Sequence, residues 1–240
     1  NNYAIVDIQQ ATETALPTII AKKAGKDTLT VISADNAQAS AKMTLKVTVP
    51  VSGITLKDEY ASQTLWLGVD ELSLKAEMYT IAPSDASNKK VTWSSGDESV
   101  VSVVRDATSN DSWKAVPKKV GRTTLTVTTE DGQKSATMNV EVKRHVESFS
   151  LTVNTLTLDK GATKLLDELV KEVLPSDASD KRITWRADNN ATGLAVTENN
   201  GKWYVTANAV GEFTLVATSV DNPQLTQRLI VTVNAVVGGI

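Results

Sequence analysis

Carboxylates are the most numerous side chains here that could do chemistry, and adjacent pairs of them occur at Asp58-Glu59, Asp70-Glu71, Asp97-Glu98 and Glu130-Asp131, among others. Two carboxyl groups can divide the acid and base roles of glycoside hydrolysis, or help hold a Ca²⁺ ion that takes about six to eight oxygens. Neighbours on a strand point to opposite faces, so a pair lying in a strand does not converge. No Asp-x-Asp-x-Asp-Gly loop and no long cleft-forming insertion accompanies any pair. The chain has no cysteine and one histidine, His145, within Lys143-Arg144-His145. That excludes a thiol nucleophile, a thiolate metal site and a disulfide, and leaves a His-rich site without ligands. His145 reads as a solvated linker residue. The expected catalytic, cofactor-binding and metal residues are therefore none, and the chain reads as a non-enzyme.

The five tryptophans offer recognition rather than reaction. Trp93 and Trp185 end matched strands, with Val91 and Ile183 two residues earlier on the same face. They are expected to fill the core between two sheets, where antibody domains carry a disulfide. Trp113 and Trp203 each follow a polar turn and start a strand. They either cover the edge of a core or form a platform for a sugar ring or a partner. Trp66 alternates out of phase with Leu65 and Leu67, so it faces solvent or is half-buried at an interdomain contact. Trp113, Trp203 and Trp66 are the candidate ligand contacts.

The elements that position these residues repeat. Residues 83–93 read PSDASNKKVTW and residues 175–185 read PSDASDKRITW, with eight of eleven positions identical at an offset of 92. Trp113 lies eight residues before Gly121, and Trp203 eight before Gly211. Residues 51–143 and 146–235 are two copies of one unit. The first fifty residues match only the back half of it: Gly25 takes the place of Gly121, Asp27–Val31 that of Thr123–Val127, and Ser40–Leu45 that of Ser135–Val140. The domains expected are therefore 1–50, the C-terminal part of a truncated repeat, then 51–145 and 146–240. Gly25, Gly121 and Gly211 read as turn glycines that permit a positive φ before a strand. No Gly-x-Gly-x-x-Gly phosphate motif is present.

Period-two alternation recurs, as in Thr124-Leu125-Thr126-Val127-Thr128, where leucine and valine share one face. The 30 threonines and 29 valines are β-branched and favour pleated strands. Gly- and Asn-rich turns at 130–133, 199–202 and 221–223 separate about seven short strands per unit. Seven strands in ~90–100 residues with one central Trp predict an all-β chain of tandem immunoglobulin-like sandwiches. Residues 164–173 carry helix-like apolar spacing, but their counterpart at 72–78 alternates, so both are read as strand.

The formal net charge is −3 and the pI about 5.3. By segment it is +1 for 1–50, −1 for 51–145 and −3 for 146–240. A nucleic-acid partner needs a basic excess that no segment carries. No stretch approaches the ~20 apolar residues of a membrane span, and no signal peptide is visible at the N-terminus.

The ordered set Val-x-x-Ile/Phe-x-Leu, Pro-Ser-Asp-Ala-Ser-Asn/Asp-Lys, Val/Ile-Thr-Trp, then Val-Gly before a Thr-rich strand resembles the bacterial Ig-like domain, group 2, as found in tandem in intimin- and invasin-like surface proteins. The resemblance covers 51–143 and 146–235, and 1–50 in part. It implies no shared catalytic residues and no cofactor. It implies an extracytoplasmic location, at the cell surface or secreted, and a role as adhesion module or rod-like spacer. The alternative is a carbohydrate-binding or enzyme-associated module that uses its exposed tryptophans. The partner expected is a host or cell-surface glycan or protein, with no nucleic acid and no membrane span. A monomer is expected, with dimerisation through residues 1–50 as the open route, since a truncated repeat leaves an apolar face uncovered.

Overall fold

A computed structural model describes residues 5–9, 12, 16–105, 112–190 and 192–236. Among these there is no α-helix. The chain groups into two compact units. One holds Asn1–Gln63, Glu71–Val116 and Arg122–Val140; the other holds Thr64–Asp70, Pro117–Gly121 and Glu141–Ile240. The strands follow the internal repeat.

The first segment has β1 (Val6–Gln9), β2 (Thr18–Ala21), β3 (Gly25–Ile32) and β4 (Ser40–Val47). The first complete copy has β5 (Gly53–Leu56), β6 (Ser62–Trp66), β7 (Leu72–Leu74), β8 (Tyr79–Ala82), β9 (Val91–Ser95), β10 (Val101–Arg105), β11 (Trp113–Pro117), β12 (Gly121–Thr129) and β13 (Ser135–Lys143). The second complete copy has β14 (Ser148–Leu151), β15 (Thr155–Asp159), β16 (Thr163–Leu165), β17 (Val170–Leu174), β18 (Ile183–Ala187), β19 (Leu194–Asn199), β20 (Lys202–Ala207), β21 (Gly211–Ser219) and β22 (Thr226–Asn234).

Both complete copies build the same three sheets. The four-stranded orders are β6-β13-β12-β9 and β15-β22-β21-β18. The three-stranded orders are β10-β11-β7 and β16-β20-β19, and the two-stranded pairs are β5-β8 and β14-β17. Each copy thus has nine strands where alternation suggests seven. The first long strand of the first complete copy splits around the 3-10 turn Asp58–Tyr60, so β5 joins one sheet and β6 another. Residues 163–174 are likewise not one strand: a 3-10 turn, Asp167–Leu169, separates β16 from β17. Ala76–Met78 does the same in the other copy. That turn brings Leu166 and Leu169 inward together, at 0% and 7% exposure, and so produces the helix-like spacing.

Sheet faces meet over alternating apolar residues. In the second complete copy Phe149, Leu166, Leu169, Ile183 and Trp185 pack against Leu215, Ala217, Leu229, Val231 and Val233. Trp185 holds its place by packing, since its buried Nε1 has no acceptor among the described residues. Gly25, Gly121 and Gly211 share φ values of +156°, +158° and +148° at the start of equivalent strands. Gly193 is required for another reason. A Cβ built there would lie 2.0 Å from the Phe213 ring.

Candidate functional site

Side chains converge in two places, the junction ahead of each complete copy and a cleft beside Trp203.

The junction geometry is duplicated. Ahead of the first complete copy, Val49 N donates to Ser87 Oγ at 2.9 Å, and Ser87 N donates back to Val49 O at 2.9 Å. Ahead of the second, Arg144 N donates to Ser179 Oγ and Ser179 N to Arg144 O, both at 2.9 Å. Ser87 and Ser179 are the second serines of the two Pro-Ser-Asp-Ala-Ser loops. A carboxylate then holds the backbone N–H two residues on. Val51 N donates to Asp131 Oδ2 at 3.0 Å, and Val146 N to Asp221 Oδ2 at 2.7 Å. Both aspartates sit in the turn before the last strand of their copy.

His145 is therefore more than a solvated linker. Its Nδ1 lies 3.1 Å from Asp221 Oδ1. Its ring stacks on Trp66, with centroids 3.7 Å apart and planes inclined by 5°. Asp70 Oδ2 accepts from Trp66 N at 2.7 Å, and Lys143 O accepts from Leu67 N at 2.7 Å. Trp66 is half-buried with one face given to His145. Arg144 adds contacts to Glu147 at 3.0 Å and Asp177 at 3.3 Å, and the Glu147 hydrogen bond foremost raises the guanidinium pKa.

Three of the pairs give at least one carboxylate to local order. Asp97 Oδ1 accepts from Ser99 N and Oγ, Glu71 lies 3.6 Å from Lys114, and Glu130 accepts from Asn88. No group of three or more potential metal ligands occurs among the described residues.

The cleft belongs to the second complete copy and encloses about 430 Å³. Its floor is Trp203 with Val170, Ile183 and Val220, and its walls carry Asp167, Glu198, Lys181 and Arg182. The β19–β20 hairpin presents Trp203 opposite Glu198 in register, over a turn with Asn200 at φ +51° and Gly201 at φ +74°. The 3-10 turn ties the other side down: Trp203 N donates to Asp167 Oδ2 at 2.8 Å, and Leu166 N to Trp203 O at 2.8 Å. The cations are already engaged. Arg182 makes a two-pronged contact to Asp180 at 2.9 and 2.6 Å, which lowers the Asp180 pKa and raises that of Arg182. Lys181 Nζ donates to Ser176 O. The Glu198 carboxylate makes no side-chain hydrogen bond or close ion pair among the described residues, although its charge acts on Arg182 at longer range.

Trp113, at the matching position, has different surroundings. The Arg105 guanidinium lies over its ring, 5.6 Å from the centroid. Lys75 stands where the other copy has Asp167. Trp93 and Trp185 lie between the sheets at 4% and 3% exposure. So the structure brings Trp66 to a junction, Trp203 to a cleft and Trp113 beneath an arginine, and no two of the three candidate contacts share a site. Sequence reasoning missed the roles of Ser87, Ser179, Asp221 and Asp167, and singled out Asp131 only as half of a carboxylate pair. The serines were visible as repeated letters, but their partners are backbone atoms distant in sequence.

Residues 145–228 match the bacterial Ig-like domain, group 2. The matched residues contain the Trp203 cleft and, of the second junction, Ser179 and Asp221; Arg144 lies just ahead of them. A protein of Clostridium acetobutylicum described as uncharacterized is 36% identical over 106 residues, covering 44% of this chain and 10% of its own. An alpha-L-arabinofuranosidase of Bifidobacterium longum is 29% identical over 167 residues, covering 68% of this chain and 14% of the enzyme. The chain thus spans 10–24% of the length of the curated relatives it matches. Among solved structures, an I-band fragment from titin is similar with a TM-score of 0.51 and 14% identity, over 99% of this chain and 84% of the fragment. That likeness is one of fold. No helix among the described residues is long and apolar enough to cross a membrane.

Proposed function

We propose that this chain is a non-catalytic run of Ig-like units that serves as a spacer within a longer cell-surface or secreted bacterial protein. The observation that carries this reading is the duplicated grip on the chain ahead of each complete copy. A Gly/Ser linker would leave successive units free to flex. Here the junction residue exchanges two hydrogen bonds with a serine of the following copy, and an aspartate holds the backbone two residues later. A spacer needs joints that hold. Much longer relatives support a segment of a larger polypeptide, and the group 2 resemblance supports an extracytoplasmic place.

Lys143-Arg144 offers two trypsin sites at the second junction, which makes the test direct. Native protein is expected to resist cleavage there until it unfolds, and Ser179→Ala is expected to speed cleavage severalfold. Cutting at Arg144 in the native chain as fast as in a urea-unfolded control would sink the spacer reading.

A second reading, adhesion to carbohydrate, is favoured by the cleft. Its cations are satisfied internally, while Glu198 and one oxygen of Asp167 remain as acceptors beside an indole. That combination suits a neutral ring carrying hydroxyl donors on its edge and C–H groups on its face. Similarity to part of an arabinofuranosidase supports a setting near carbohydrate. On a glycan array, binding to neutral oligosaccharides is expected to disappear in Glu198→Gln and Trp203→Ala but to survive in Trp113→Ala. No binding, or binding indifferent to Glu198 and Trp203, would remove this reading and leave the spacer untouched.

A further inference from the structure

Residues 5–47 repeat the back half of each complete copy strand for strand. β1 pairs antiparallel with β2, as β19 does with β20, and β3 with β4, as β21 does with β22. Ile5 and Val6 are buried at 9% and 3%, like Val100 and Val101 at 7% and 0%. Much of the remaining apolar surface is uncovered, with Leu29 and Leu45 half-buried. Val31 is 60% exposed where Val127 is 0%, and Met43 is 49% exposed where Met138 is 0%. Ile32, on the opposite face of β3, is 57% exposed, and the neighbours Ile19 and Ile20, which point to opposite faces of β2, are each 43% exposed. The sheets are also short of strands. β12 and β13 lie between β9 and β6, and β11 pairs with β7, whereas β3-β4 and β1-β2 end at two strands. The segment therefore combines an apolar face with open edges on β2, β3 and β4, among the described residues.

The complete copies show what fits such a surface. In both, the cover is the front half of the repeat. Trp93 stands opposite Val127 in the β9–β12 register. In the other copy Leu166, Ile183 and Trp185 pack on Leu215, Leu229 and Val231.

We propose that the face bearing Val31 and Met43 binds a front-half segment of the repeat's own type, joined ahead of β1 as residues 51–98 are joined ahead of β10. The partner's chemistry is specific. It is an extended polypeptide whose Val/Ile-Thr-Trp strand adds antiparallel to the free edge of β3, while a second strand adds to β4 and a third to β2. Strand addition supplies backbone partners, and the inward Trp supplies the cover for the apolar face.

The test extends the full chain by placing residues 51–98 ahead of Ala4, or in a second version residues 146–190. Amide exchange across 25–47 is then compared with the unextended chain. The expected result is at least tenfold slower exchange there in one or both extended chains, with blue-shifted emission from the added Trp. Val31→Asp is expected to abolish the slowing. In the unextended chain the same substitution sits at an exposed position and is expected to leave the two complete copies folded. Unchanged exchange in both extended chains would overturn the proposal. So would an unextended chain that sediments as a dimer and dissociates on Val31→Asp, because the face would then belong to a second copy.

Discussion

The two complete copies share a frame and differ at the rim. Trp93 and Trp185 are buried alike, and Ser87 and Ser179 make the same pair of hydrogen bonds. Asp131 and Asp221 cap the same backbone donor. Around that frame the chemistry diverges. Tyr79 lies 6.2 Å from Trp93 in a tilted contact, and Lys171 replaces it in the other copy. Arg105 covers Trp113, while Trp203 opens on a cleft. Asn88 caps Lys90 N through its amide, whereas Asp180 also pairs with the Arg182 guanidinium. Residues that answer to packing or to a backbone donor are held in common. Residues that answer only to solvent have gone separate ways, and any difference in binding between the copies must come from them.

The largest expected effects test the shared frame. Trp93→Ala and Trp185→Ala should each cost about 3–5 kcal/mol by leaving a cavity. Urea unfolding checks this, and a variant that melts like the parent would break the equivalence of the two cores. Gly193→Ala comes next. Its Cβ would collide with the Phe213 ring, so a loss of about 1–3 kcal/mol from overpacking is expected. Phe213→Leu in the same background should recover part of it. The matched junctions predict matched losses: Ser87→Ala and Ser179→Ala should each remove about 0.5–1.5 kcal/mol. A loss at only one would show that the two grips differ in strength despite equal geometry.

The smallest effect sharpens the contrast at the rim. The Arg182 hydrogen bond holds the Asp180 carboxyl below its ordinary value of 3.8. A depressed folded pKa adds stability that is present above the unfolded value and is lost as pH falls through the folded one. The second complete copy should therefore lose a small contribution below about pH 4, and Asp180→Asn should remove it. The first copy carries Asn88 there and should show none. Carboxyl NMR titration checks the sign, and a midpoint above 3.8 would refute the pairing.

Strand content, the repeat and the buried tryptophans were legible in sequence because alternation and β-branched residues report local geometry directly. Residues 163–174 were harder to read. A single 3-10 turn places Leu166 and Leu169 on one side, and a short apolar run cannot show whether one turn or three produced that spacing. In sequence Trp113 and Trp203 read alike, as edge cover or exposed platform, and Trp66 as solvent-facing or half-buried at an interdomain contact. The neighbours that set them apart come from residues 79, 8 and 5 positions away: His145 stacked on Trp66, Arg105 over Trp113 and Glu198 paired across the hairpin with Trp203.

The sequence by itself determined an all-β chain built on one repeated unit, with no thiol and a single imidazole. These properties follow from composition and period, which need no knowledge of distant neighbours. The tertiary structure alone decided that the second serine of each Pro-Ser-Asp-Ala-Ser loop grips the preceding backbone, and that His145 stacks on Trp66. It also decided that a cleft opens at Trp203 and which residues, Val31 and Met43 among them, form the uncovered face that a truncated repeat implies. The physical reason is common to all four. Hydrogen bonds to backbone atoms, ring contacts and burial depend on which strands the sheet order brings together, and side-chain identity does not encode that order.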